Sequence, residues 1–107
     1  MITLKHAELF RCDLRARMPF RYGIATMTWL PHVILRVTFE IDGTTHTGLA
    51  ADNLPPKWFT KDPTRRLEDE VEEMVRVIRA AVRHARAVRG ATAFAYWREL
   101  YEAQAAW

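Results

Sequence analysis

The sequence predicts an α+β fold: a three-stranded antiparallel meander followed by a helical hairpin packed on the sheet. Three observations carry this reading. Polar and apolar residues alternate along Thr3–Arg15, Val33–Ile41 and Thr44–Ala51, the period of a half-buried strand. Asp42-Gly43 joins the second segment to the third, and this pair accepts the positive φ of a tight hairpin. Beyond Leu67 the apolar period lengthens to steps of three and four, which is the stripe of an amphipathic helix.

The first strand sets Phe10, Cys12 and Leu14 on one face and Leu9, Arg11, Asp13 and Arg15 on the other. Met18-Pro19 is expected to end it, because proline lacks an N–H and restricts the residue before it. Residues 18–28 then read as a loop around Gly23. Val33, Leu35, Val37, Phe39 and Ile41 alternate against Ile34, Arg36, Thr38 and Glu40 in the clearest strand of the chain. Thr44–Ala51 returns beside it, with Gly48 marking a close backbone approach. A second proline-led loop follows, Leu54-Pro55-Pro56-Lys57-Trp58-Phe59.

Asp62-Pro63 reads as an N-cap followed by proline at the first helical position. The helix is expected from about Pro63 to Val88, with Leu67, Val71, Met74, Ile78, Ala81, Ala85 and Val88 as its stripe and Gly90 as its stop. A second helix covers Ala93 to about Ala105 and carries Phe94, Trp97, Leu100, Tyr101 and Gln104 along one side. The helical pattern runs out at Trp107 without a stop signal, so the chain is expected to be a piece of a longer polypeptide.

A length of 107 residues suits one domain with a modest core, and half the residues are apolar. No apolar run has the length of a membrane span, and the N-terminus lacks the layout of a signal peptide. The single cysteine, Cys12, cannot form an internal disulfide; a cytoplasmic location follows as the default, and Cys12 reads as a small buried hydrophobe. The sequence pI near 9.4 invites a nucleic-acid partner. Charge placement argues against one: Glu68, Asp69, Glu70, Glu72 and Glu73 precede Arg76, Arg79, Arg83, Arg86 and Arg89, as a helix dipole favours. The acidic run and the arginine stripe read as solvated helix faces, with Glu72 and Arg76 as an i,i+4 pair.

Catalytic motifs are not found. The histidines at 6, 32, 46 and 84 have no zinc-ligand spacing, so no metal site is expected. The chain contains no serine for a nucleophilic triad, and its four glycines are scattered, which excludes a glycine-rich phosphate loop. No residue is assigned a catalytic role. The two proline-led loops carry the candidate site instead: Phe20, Arg21, Tyr22, Ile24 and Met27 in the first, and Lys57, Trp58 and Phe59 in the second. Two readings of their aromatic residues are open: they fold inward to complete the core, or they form an apolar patch that lids a pocket or meets a partner. Arg21 and Lys57 read as exposed cations that could meet an anionic ligand.

The Ile2–Leu14 strand, Met18-Pro19-Phe20, Val33-Ile34-Leu35-Arg36-Val37, Asp42-Gly43 and Thr47-Gly48-Leu49-Ala50-Ala51 resemble the N-terminal capping domain of the enolase superfamily. The mandelate racemase and muconate lactonizing branch is closest in style. Leu49 departs from the pattern, standing where the family commonly carries glutamate. The resemblance implies a domain, residues 1–107, set over the mouth of a C-terminal barrel that lies outside this chain. Its two loops, 18–28 and 52–60, would close on a small carboxylate substrate. The parent enzyme would be a racemase, dehydratase or lactonizing enzyme, hence an isomerase or lyase. Mg²⁺ bound by the barrel would assist proton abstraction next to the carboxylate. This chain would hold no cofactor and be inactive alone, and without its barrel it would form a homo-oligomer through the uncovered apolar face. The competing reading is a small stand-alone binding module that takes a protein or nucleic-acid partner through its basic helix.

Overall fold

A computed structural model describes residues 1–107 and contains five elements: β1 (Ile2–Tyr22), β2 (Ala25–Ile41), β3 (Thr44–Asn53), α1 (Leu67–Ala87) and α2 (Ala93–Ala105). The strands form one antiparallel sheet in the order β1-β2-β3, as the alternation predicts. At the β2–β3 turn Asp42 and Gly43 have φ of 50° and 81°, the two positive values of a primed turn. No helix is long and apolar enough to cross a membrane.

Residues 18–28 are not the loop that Met18-Pro19 implies. β1 continues to Tyr22, β2 begins at Ala25, and Phe20↔Met27, Arg21↔Thr26 and Tyr22↔Ala25 pair across a turn at Gly23, where φ is 51°. Pro19 is accommodated because the register slips between Arg15 and Phe20, leaving the ladder without a bond for proline to break. The result is a hairpin arm running past the end of β3, whose last partner is His32. The arm draws the molecule out to 47 × 29 × 18 Å, with a radius of gyration of 16.3 Å. A compact chain of this length would have about 13 Å.

A second irregularity decides which face of β1 is covered. The register shifts between Leu4 and His6, so Leu4 is buried and the inward phase then passes to Ala7 and Leu9. Phe10 and Leu14 turn outward, each 44% exposed, and Cys12 is exposed rather than a buried hydrophobe. On this open face Arg36 stacks over Phe10 and makes a forked pair with Glu8. Arg11, on the covered side, reaches Glu72 of α1 at 3.1 Å. The expected Glu72–Arg76 pair is thereby replaced by a link from helix to sheet.

The core consists of two small clusters. Val33, Leu54, Val71 and Val75 pack with Leu9, Trp29, Met74 and Ile78 beneath the middle of the sheet. Leu4, Ala85 and Tyr96 pack with Ile2, Val37, Phe39 and Leu100 at the other end. α1 begins at Leu67, later than Asp62-Pro63 predicts, because the Asp62 carboxylate accepts from the Thr64 N–H and hydroxyl and caps a separate turn. α2 has the expected bounds, with the Thr92 hydroxyl accepting from the Ala95 N–H. Its inward residues are Tyr96 and Leu100, whereas Phe94, Trp97 and Tyr101 form an exposed ladder with ring centres 5.5 and 5.3 Å apart.

Gly90 is not a left-handed helix stop. It pairs with Ile2 in an antiparallel bridge, and a Cβ there would lie 2.3 Å from the Tyr96 nitrogen. Tyr96 in turn donates to the Ala85 carbonyl at 2.6 Å and meets Phe39 edge-on at 5.4 Å. Gly90→Ala is therefore expected to lower stability by about 2 kcal/mol or more in urea titration. Gly48→Ala, whose Cβ would meet only Val37 at an ordinary 3.6 Å, should change it far less.

Candidate functional site: a cleft between the hairpin arm and the 54–60 segment

Three elements enclose an open cleft of about 890 Å³. The arm contributes Phe20, Tyr22, Met27 and Leu30; the segment after β3 contributes Leu54, Lys57, Trp58 and Phe59; the first half of α1 contributes Glu70, Glu73, Met74 and Val77. The segment turns inward as soon as β3 ends. The Leu54 N–H donates to the Pro31 carbonyl at 2.9 Å, which drives Leu54 into the first core cluster. Pro56 and Lys57 follow it inward, while Trp58 and Phe59 are 58% and 79% exposed.

Lys57 is the anchor. Its backbone takes φ of 65°, unusual for a residue with a side chain, and places the side chain under the loop with 6% exposure. The ammonium lies 2.6 Å from Glu70 Oε2 and donates to the carbonyls of Asp62 and Arg65. Two carbonyls thus accept from the ammonium and its charge is paired with a carboxylate that is itself only 4% exposed, although Glu70 Oε2 accepts no hydrogen bond. The Lys57 N–H approaches Glu70 Oε1 at 3.4 Å, so one carboxylate holds both the head and the backbone of Lys57. The expectation of an exposed cation at Lys57 is thereby corrected. Glu70 is likewise not part of a solvated acidic face.

Tyr22 fastens the arm to this anchored loop, its hydroxyl donating to the Pro56 carbonyl at 2.5 Å. Burial pushes the phenol pKa above its ordinary value, and the nearby Glu70 charge adds to the rise. Phe20 stacks on Tyr22 at 6.1 Å between ring centres, and the Trp58 ring is tilted 6.2 Å from Tyr22. Asp62 is held below the usual carboxylate range by the Thr64 hydroxyl and N–H, with Lys57 and Arg65 contributing further.

Of the eight residues singled out from sequence, Phe20, Tyr22, Met27, Lys57, Trp58 and Phe59 line this one cleft. Arg21 falls between Phe20 and Tyr22 in the strand and is exposed outside the lining, and Ile24 stands exposed in the turn at the arm tip. Sequence reasoning missed Glu70, Met74 and Val77. A signal for Glu70 existed: it lies three residues after Leu67 and four before Met74, inside the apolar stripe, where a carboxylate requires a buried cation.

No three His, Cys, Asp or Glu side chains converge in the molecule in a way that could hold a metal ion. Arg76, Arg79, Arg83 and Arg86 form an exposed stripe with no ion-pair partner, away from the cleft.

Removing either member of the Lys57–Glu70 pair leaves a buried charge. Lys57→Met should cost about 3 to 5 kcal/mol in denaturant titration, and adding Glu70→Met should recover much of that loss. Because the Tyr22 pKa is raised by folding, its contribution is fully present below the unfolded value near 10 and is lost as pH rises through the higher folded value. Tyr22→Phe should therefore flatten the alkaline fall in stability and remove a late-titrating phenol from the ultraviolet absorbance titration. No family model, curated protein or solved structure matches the chain.

Proposed function

We propose that the chain is the substrate-capping domain of an enolase-superfamily enzyme of the mandelate racemase and muconate lactonizing type. The observation that carries this reading is that two apolar segments, distant in sequence, meet across one open cleft at a single end of the sheet. Exposed Phe20, Trp58 and Phe59 are better matched to a surface that closes on something than to a connection between elements. The meander-then-helices order agrees with the resemblance in the sequence.

In this reading the active-site chemistry belongs to a barrel elsewhere in the polypeptide. A Mg²⁺ ion bound there would supply positive charge that assists proton abstraction next to a substrate carboxylate. The residues of this chain bind and exclude water. Lys57, Glu70 and Tyr22 keep the cleft wall in place, and the aromatic side chains of the arm and loop close over the substrate, strengthening the electrostatics beneath them.

A second reading, a binding module working through α1, rests on the unpaired stripe Arg76, Arg79, Arg83 and Arg86. It requires affinity for duplex DNA or RNA that drops steeply with salt.

The capping reading is tested on the protein as its cells make it. Intact mass should exceed the 12.5 kDa of this chain by a barrel of about 250 residues. That protein should exchange the hydrogen next to a substrate carboxylate for deuterium in a Mg²⁺-dependent manner, while the chain alone should not. A natural product ending at Trp107, or salt-sensitive nucleic-acid binding by α1, would overturn it.

A further inference from the structure

We infer that the part of the ligand received by this cleft is apolar and of aromatic dimensions, not polyhydroxylated; the inference rests on reading the cleft as the ligand-facing side of the cap. Most of the charged and polar groups that line it are already engaged within the protein, the Thr60 hydroxyl and the Trp58 indole N–H being exceptions. The Lys57 ammonium is divided among Glu70 and the carbonyls of Asp62 and Arg65. The Tyr22 hydroxyl donates to Pro56, Glu73 is paired with Arg65 at 2.6 Å, and Asn53 Oδ1 is bonded to His32 at 2.8 Å. Asp52 accepts from the Asn53 N–H. Hydroxyl groups entering the cleft would give up water and find few free partners, which costs more than burial returns.

Charge points the same way. Lys57 cancels Glu70 and Arg65 cancels Glu73, so Asp52 is the lining carboxylate that no cation offsets. An anionic group is not attracted here; the ligand's carboxylate faces away from the cap and its apolar end enters. What the cleft offers that end is the faces of Phe20, Tyr22 and Trp58, the thioether of Met27 and the exposed ring of Phe59. Its volume lies within the range of small-molecule sites, ample for a fused ring system.

The full chain is titrated with two carboxylates, 1-naphthylacetate and D-gluconate, while the indole N–H signals of Trp29, Trp58, Trp97 and Trp107 are followed by NMR. Naphthylacetate should shift the Trp58 signal saturably, and gluconate should leave it in place. Phe20→Ala should weaken naphthylacetate about fivefold, the loss expected for one stacked ring, and Phe94→Ala on the distant α2 ladder should not. The inference is overturned if gluconate binds as tightly as naphthylacetate, if neither binds, or if naphthylacetate perturbs Trp97 instead and ignores Phe20→Ala. The capping role fails on a separate measurement, the mass and deuterium exchange of the whole protein, so the two failures are distinguishable.

Discussion

The buried pair between Lys57 and Glu70 is the contact on which the cleft end of this molecule depends. A charge with so little exposure is tolerated only when an opposite charge and polar contacts compensate its loss of water. Here one carboxylate from α1 and two carbonyls from the approach to that helix supply them, which draws residues 54–66 into a closed turn against α1. Trp58 and Phe59 then have nowhere to go but outward. The same turn presents the Pro56 carbonyl to Tyr22, so the loop's anchor becomes the arm's anchor as well. The left-handed backbone at Lys57 is a local strain that this network over-determines.

Elsewhere the molecule is thinly held. Its buried residues number 14 of 107, divided between two clusters, and β3 is exposed along its whole length. Helices cover one face of the sheet, while Phe10, Leu14 and Leu49 remain open on the other or at its edge. The arm has no cluster of its own beyond the Tyr22 contacts. Such a chain keeps its shape through a few specific attachments, of which Gly90 against Tyr96 is the counterpart, at the far end, of Lys57 against Glu70. Glycine is required there because backbone, not a flexible side chain, occupies the space of its Cβ.

The separation between anchoring and presenting groups gives the cleft its character. Polar atoms are spent on holding the wall together, and apolar rings are left facing the opening. A wall built this way has little hydrogen-bonding capacity to spare beside its apolar surface.

Periodicity alone determined the element order, the Asp42-Gly43 turn and the bounds of α2, since each depends on local φ preference and on which positions can be apolar together. It also singled out both segments of the cleft, because aromatic residues in proline-led stretches stand out against ordinary connections. Tertiary structure decided the rest. β1 carries apolar side chains on both faces, so only the slip between Leu4 and His6, and the helices that settled on the Leu9 side, sent Cys12 and Phe10 to solvent. Pro19 could sit inside a strand because a register shift removed the bond it cannot make. Lys57 and Glu70 are 13 residues apart and each looks like a surface charge by itself. Their burial depends on a loop and a helix being brought face to face, and pairing at that distance is a property of the folded chain, not of either local sequence.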